Sequence, residues 1–492
     1  MISKDNLKKL IEPNFYNDLK KDNYEKKTIK ATSLLTHTRL DMAFKLLYLE
    51  ILDKDVKFAQ VIYEKHIKAF SLGKFTEPGN EEKNSIDKFI NEFHKTFNDI
   101  KNNGFDSSKT FIPLSKNRSI ANGAHRVASA IYLDKTVDCV DIETCDHIYD
   151  YKFFYNRNVS VEVLDIGVTK FVEYADNLHI AFLWPTAKGH NEEIEQIIPN
   201  IIYRKEMTLN LNGAHNLLSQ IYYGEEWLGS VENNFKGSKG KLLECFKSLE
   251  PVRVIAFQAD NLDEVLKIKN KVRKIFNIGK HSIHITDTKE EAIRVARVVF
   301  NDNSIHFLNY AKPNKYISTH QKIEEFKKFI EKNNLDNKDL LIDSSLILSC
   351  YGLREAKDID FICSDNSKIK INFEYINIHD EELKNYNESK NELIYNPRNY
   401  FYFNNLKFIS FTQLYKMKRK RDEEKDKNDC KIMEALIEGD GFKKIINKLK
   451  QRFYYEKIKL KSTLVKMLKF MGIYKLIREI YQKINPFNNK SR

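Results

Sequence analysis

Six cysteines are spread over the 492-residue chain, at 139, 145, 245, 350, 363 and 430, and none belongs to a Cys-x-x-Cys pair. That scatter excludes a disulfide framework and a zinc knuckle and points to a reducing cytoplasm. No run of about 18 apolar residues occurs, so no helix is expected to cross a bilayer. The opening MISKDNLKKLIEPNF lacks the apolar core of roughly 7–15 residues that a signal peptide needs, so none is expected. No internal repeat is visible.

Net charge is also missing from most of the chain. The total is +13, and the stretch from 443 to 492 holds 15 Lys/Arg against two acids, Glu456 and Glu479, which accounts for all of it. The first 442 residues are neutral. A nucleic-acid surface is usually a broad basic patch, so nucleic acid is an unlikely partner.

Apolar residues make up 42% of the sequence, aromatics 12% and charged residues 31%. These proportions suit packed cores in a soluble protein, and the length suggests about three domains. The tail KSTLVKMLKFMGIYKLIREIYQKINPF puts Ser462, Lys466, Lys469, Lys475, Glu479 and Gln482 on one helical stripe and apolar residues around the rest. This pattern has two readings: a helix lying in the membrane interface on anionic lipid, or a terminal helix docked on its own domain. The tail resembles the C-terminal ends of bacterial envelope glycosyltransferases, which favours the inner membrane surface.

Apolar residues at three/four spacing predict helices in TRLDMAFKLLYLEIL and EKNSIDKFINEFHKTFNDI, within a helical segment over 1–100. FTEPGNEEKN reads as the loop between them. Strand-like runs occur at TFIPL and VSVEVLDI, then at HIAFLWP, PVRVIAFQAD and SIHIT, and finally in KDLLIDSSLIL, DIDFICSD and LKFISF. YAKPNKYISTHQ reads as a linker. Further domains are expected over 101–170, 171–320 and 321–440, with the basic amphipathic tail over 441–492. The fold class is α+β, multidomain.

The stretch GKHSIHITDTKEEA (279–292) precedes an amphipathic run, IRVARVVF. His284 stands at a strand end, Thr286 and Asp287 follow at a helix start, and Arg273, Lys274 and Lys280 lie just upstream. A histidine that accepts a phosphoryl group needs a free ring nitrogen facing donors and cations. In order, VRKIF, GKHSIHITDTKEEA and IRVARVVF resemble the signature of nucleoside diphosphate kinases, over roughly 178–308. The resemblance implies a ferredoxin-like domain. It makes His284 the phospho-accepting histidine and Arg273 a phosphate-binding arginine, with Thr286 and Asp287 supporting the histidine loop. Where the family carries a lysine before the first-strand proline this chain has Trp184, and Lys188 could replace it only by reaching back.

Asp358-Ile-Asp360 is flanked by apolar residues. On a strand both carboxylates face one side and suit magnesium or manganese, which would bridge a nucleotide's phosphates. The order of helix, Arg354 turn and Lys357-Asp-Ile-Asp-Phe361 resembles the nucleotidyltransferase superfamily, over roughly 335–440. It implies a mixed-sheet domain with catalytic Asp358 and Asp360. Ser344, Ser345, Arg354 and Lys418 would then lie around the nucleotide, the serines standing where the family has Gly-Gly or Gly-Ser. Glu374 and Asp380 are candidates for a third carboxylate.

Asn122-Gly-Ala-His-Arg126 precedes an Ala-rich helix, where backbone amides with His125 and Arg126 would suit an anion. It resembles the Asp-Gly-x-His-Arg box of the ParB/sulfiredoxin-like fold, with Asn122 in place of the acid. Together the three resemblances imply a magnesium-dependent phosphotransferase of capsule or lipopolysaccharide biosynthesis. Such an enzyme would act from a nucleotide or nucleotide-sugar donor on a glycan or lipid-linked acceptor, at the inner face of the cytoplasmic membrane. Two alternatives stand: a toxin-like nucleotidyltransferase associated with nucleic acid, and a non-catalytic scaffold of a glycan assembly complex.

Overall fold

A computed structural model describes residues 1–77, 82–248 and 250–437, with 460, 463–475, 477 and 479 of the tail. It is an α+β protein with mixed sheets. After a short antiparallel ribbon of β1 (Ile2–Ser3) and β2 (Asn23–Tyr24) comes the first sheet, β3 (Lys26–Lys30), β4 (Ile112–Ser115) and β5 (Thr136–Thr144). Its order is β3-β5-β4, with β3 antiparallel and β4 parallel to β5. The expected helices form, as Asp41–Ile51 and Ile86–Asn103.

Residues 1–100 are not a separate helical segment, because β3 belongs to the sheet built by 112–144. The sequence hides this strand: KKTIK alternates between exposed and half-buried positions and has a single large apolar side chain. VSVEVLDI is not a strand either. It opens the helix Val161–Tyr174, whose buried Val163, Leu164, Val168, Phe171 and Val172 recur at helical spacing and outweigh the short run of alternation at its start. The boundaries expected at 170 and 320 fall inside the helices Val161–Tyr174 and Ile317–Asn333. The segments outside helices and strands that follow the first and precede the second are 175–177 and 311–316.

The second sheet holds β6 (Leu178–Leu183), β7 (Ile201–Met207), β8 (Val252–Gln258) and β9 (Ile283–Ile285), ordered β7-β8-β6-β9 with every pair antiparallel. Its two faces feed two cores. Ala181, Leu183, Ile255, Phe257, Ile283 and Ile285 pack with Val265, Ile268 and Val272 of the helix Leu262–Phe276. Ile180, Phe182, Trp184, Val254 and Ala256 join the main core. The third sheet holds β10 (Leu340–Asp343), β11 (Ile359–Cys363), β12 (Ile376–Ile378), β13 (Tyr400–Phe403) and β14 (Leu406–Ile409), ordered β12-β11-β10-β14-β13.

Where the three sheets' flanking elements meet, a buried ionic chain surrounds a cavity of about 70 Å³. Lys170 reaches Glu50 at 2.6 Å and Glu173 at 2.5 Å. Glu50 also accepts from Lys338 at 2.7 Å, and Glu173 from Arg297 at 2.7 Å. The Arg297 guanidinium lies 5.4 Å from the Tyr402 ring centroid. Burial alone would raise the Glu173 carboxyl, but Lys170 and Arg297 outweigh it and hold it at about 2.

Removing one partner of a buried pair strands the other charge, so Glu173→Gln should lower the unfolding free energy by about 3 kcal/mol at neutral pH. Because the folded carboxyl titrates below its unfolded value, the difference from wild type should stay flat above pH 4.5 and shrink as pH falls toward about 2. Urea titrations of both proteins across that window check the magnitude and the sign.

Candidate functional site

β10 and β11 are neighbouring antiparallel strands whose register sets Asp343 directly opposite Asp360. Opposed residues share a face, and so do residues two apart, which places Asp343, Asp358 and Asp360 on one side of the sheet. Asp343 is fully buried, and three donors fix it: the Ser344 N–H at 2.6 Å, the Tyr386 hydroxyl at 2.5 Å and His379 Nδ1 at 2.8 Å. Ser345 Oγ donates to Asp358 at 3.2 Å.

Burial raises the Asp360 carboxyl, and Asp358 and Asp343 add to the rise against the opposing charge of His379. Burial works to lower the His379 imidazole, but its bond to Asp343 prevails and raises it. Among the described residues, no Lys or Arg forms an ion pair with Asp358 or Asp360, and no group of three or more His, Cys, Asp or Glu is arranged to hold a metal ion. Asp343 is spent on its own three donors. What remains is a pair of like charges with no Lys or Arg paired to either, opposed by the His379 imidazole, which is itself bonded to Asp343. Magnesium typically takes one or two carboxylates and completes its shell with water and substrate phosphates, so the pair fits that ion.

Ser344 forms the corner between β10 and the short helix Ser345–Cys350, at φ 62° and ψ −130°. This backbone region suits glycine and strains a residue with a Cβ. Its hydroxyl lies 3.3 Å from His379 Nδ1.

Arg354 and Lys418, expected to bind nucleotide, are committed elsewhere. Arg354 donates twice to Asp429, at 2.6 and 2.8 Å, and Lys418 is enclosed between Asp426 at 3.0 Å and Asp429 at 2.9 Å. They clamp the helix Glu424–Ile437 onto the sheet's surroundings. Asp380 accepts from Lys390 and Asn366. Asp343, His379 and Tyr386 were missed by sequence reasoning. The signal for Asp343 was present in LLIDSS, an acid ending a strand directly before the corner.

In the second sheet His284 lies on the edge strand β9. Its Nε2 is 3.2 Å from Glu291 Oε1, and Tyr222 packs edge-on at 5.0 Å between ring centroids. Glu291 also accepts from the Asp287 N–H at 2.9 Å, which ties the loop after β9 to the next helix. Thr286 is buried and accepts from the Ile180 N–H, so it holds the sheet edge. Asp287 pairs with Lys269 at 2.6 Å. Lys188 is exposed and lies 3.7 Å from Glu250. Lys280 is exposed, and Arg273 has a buried Nε without a partner.

His125 and Arg126, the expected anion-binding pair, have partners within the fold. His125 bonds the Tyr63 hydroxyl at 2.8 Å and packs on Phe93, and burial holds its imidazole well below the usual histidine range. Arg126 donates to Glu12 at 2.9 Å and to Thr110. Gly123 adopts φ +90°, and a Cβ there would meet Ile112 Cδ1 at 2.7 Å, so the turn needs glycine for its backbone conformation and for packing. Among the described residues, no hydrogen bond or ion pair joins the three constellations.

No family model, curated protein or solved structure matches the chain.

Ser344→Gly should remove the corner strain and raise the unfolding free energy by about 1 kcal/mol, whereas Ser344→Ala keeps the strain and should not. Thermal melts of the two variants beside wild type decide it. A glycine variant no more stable than the alanine variant would show that the corner is unstrained.

Proposed function

We propose that the chain is a magnesium-dependent phosphotransferase that moves a phosphoryl, nucleotidyl or phospho-sugar group, with Asp358 and Asp360 as the metal-holding pair. One observation carries this reading: among the described residues, two carboxylates share a strand face with no Lys or Arg paired to either, beside a third that is held by its own three donors. Manganese fits the same oxygen ligands. The ion would polarise the donor's phosphates and stabilise charge on the leaving group. Ser344 and Ser345, at the corner beside the pair, would approach those phosphates in this reading.

Topology supports the reading. The third unit runs helix, strand, corner, helix and carboxylate-bearing strand, the order of a nucleotidyltransferase-like domain. The second sheet's β7-β8-β6-β9 order, all antiparallel, is that of a split βαβ, ferredoxin-like domain. His284 would be that unit's phosphate-handling group. The surface-polysaccharide setting, with a glycan or lipid-linked acceptor, rests on the sequence resemblances.

The tail supports work at a membrane surface. Residues 463–470 are helical, with Leu464, Met467 and Phe470 exposed. Most of 438–492, including Ser462 and Gln482 of the polar stripe, lies outside the described residues. No described helix is long and apolar enough to cross a membrane. An amphipathic, basic helix of this kind suits the anionic interface.

Thermal-shift measurements with nucleotides and nucleotide sugars, with and without magnesium, test the metal site. Ligand at about 100 times its Kd stabilises by about 2.7 kcal/mol. Wild type should gain a magnesium-dependent shift that Asp358→Ala and Asp360→Asn lose. A shift that survives both substitutions refutes the assignment. Separately, the full chain should sediment with vesicles containing phosphatidylserine and be released by high salt, and a chain ending at 440 should stay in solution. Equal sedimentation of the two would place the membrane contact elsewhere or nowhere.

A further inference from the structure

The helices Leu211–Ile221, Lys289–Val299 and Ile317–Asn333 and the turn between β13 and β14 border a cavity of about 140 Å³. The turn is Asn404-Asn405, with φ of 48° and 63°, between the paired Phe403 and Leu406. A two-residue hairpin turn of this hand needs left-handed backbone at both positions, which asparagine takes more readily than most residues. The turn thereby sets both asparagines on the cavity wall. On the helix Lys289–Val299, Arg294 and Arg297 stand three residues apart and so share a face. Both line the same cavity, as does Lys327 of Ile317–Asn333.

Among the described residues, these three cations line the cavity and no Asp or Glu does. Arg297 keeps Nε and Nη2 on Glu173 and places Nη1 3.3 Å from Asn405 Oδ1, with its guanidinium over the Tyr402 ring. Lys327 pairs with the exposed Glu324 one turn away, a surface contact that contributes little. Arg294 forms no ion pair among the described residues and donates only to the carbonyls of Gln220 and Ile221. Burial pulls its guanidinium below the usual arginine range, and Glu291 offsets that only in part. Gln220 Nε2, on the same wall, is buried without a hydrogen-bond partner among the described residues, whereas buried donors are ordinarily satisfied. Tyr223 and Tyr402 complete the wall.

A cavity of about 150 Å³ admits one six-membered ring, which sets the size of the ligand. Cations without a lining acid call for an oxyanion, and side-chain amides and phenols call for hydroxyl groups beside it. We propose that the cavity binds an acidic monosaccharide unit, its carboxylate or phosphate held by Arg294 and Lys327 and its hydroxyls by the amides of Gln220, Asn404 and Asn405. Gln220 and Arg294 belong to the second unit and Lys327, Asn404 and Asn405 to the third, so the bound sugar bridges the two. The site shares no residue with the Asp358–Asp360 pair or with the surroundings of His284, and it does not depend on the function proposed above.

Calorimetric titration of the full chain in the presence of EDTA tests the proposal, with glucuronate, glucose 6-phosphate, glucose, acetate and inorganic phosphate as probes. Wild type should bind glucuronate or glucose 6-phosphate more tightly than the other three, and the tighter of the two acids identifies the anion as carboxylate or phosphate. Arg294→Gln should weaken that binding by about tenfold or more, the loss of a charged hydrogen bond. Lys327→Gln should weaken it about threefold and serves if Arg294→Gln does not fold, because its pair with Glu324 is exposed. Gln220→Leu should also weaken it about threefold while leaving the melting temperature in place, since the amide nitrogen has no partner to lose. Asp358→Ala should bind as wild type does, so that this site and the carboxylate site fail separately. The proposal is overturned if neither acid binds at millimolar concentration, or if glucose, acetate or phosphate binds as tightly. Wild-type affinity in the Lys327 and Gln220 variants overturns it as well.

Discussion

The arrangement of the three units rests on two buried carboxylates, Glu50 and Glu173, joined through Lys170. Glu50 reaches the third unit through Lys338, and Glu173 reaches the second unit through Arg297, whose guanidinium lies over Tyr402 of the third. Ionic chains are poor evidence for stability, because desolvation offsets much of the attraction. What they give is geometry: a charge taken out of water tolerates only the partners that satisfy it. The apolar surface around the chain is continuous from residue 31 to residue 433 and could accept small slips. The carboxylates could not.

Within the third unit one buried acid has a similar role at shorter range. Asp343 accepts from a backbone amide, a phenol and an imidazole, so it fixes the Ser344 corner, the Tyr386 segment and the His379 loop at once. Its neighbours Asp358 and Asp360 are left without donors of comparable strength. Asp343 is compensated by donors of the fold, whereas Asp358 and Asp360 have no Lys or Arg paired to them among the described residues, and burial with mutual repulsion raises the Asp360 carboxyl. The strained Ser344 belongs to the same compromise, since a hydroxyl beside the carboxylates takes a backbone conformation that suits glycine.

Much of this was legible in the sequence, and the failures have physical causes. Strands with an unbroken apolar face, such as HIAFLWP and PVRVIAFQAD, read correctly because both of their sides are buried. The Lys26–Lys30 strand was invisible because it lies at a sheet edge and buries almost nothing. VSVEVLDI misled because five alternating residues outvote helical spacing until the following turns are counted. The Asp358–Asp360 pair could be found from spacing alone, since i and i+2 share a face whatever the sheet. Asp343 and His379 could not, because their meeting depends on the register between β10 and β11 and on the path of the loop after β12. Lys418 and Arg354 were misread for the opposite reason. Their acid partners, Asp426 and Asp429, lie close in the sequence for one and 75 residues away for the other, and a basic residue near a site looks free until its partner is placed.

The second unit makes the same point about chemistry. A phosphate site needs positive charge within a few ångströms, but nothing fixes the element that supplies it. At the turn after β6, where a lysine was expected, the chain has an indole, and the nearest lysine along the sequence points to Glu250. The connection between β7 and β8 brings a different lysine over the Tyr222 ring, on a helix more than 50 residues further along. Sequence order therefore conceals that Lys241, and not Lys188, lies over the ring that packs on His284. A cation facing solvent keeps its charge cheaply and says little about a partner. One drawn into the fold loses hydration, and burial lowers the Lys241 ammonium accordingly.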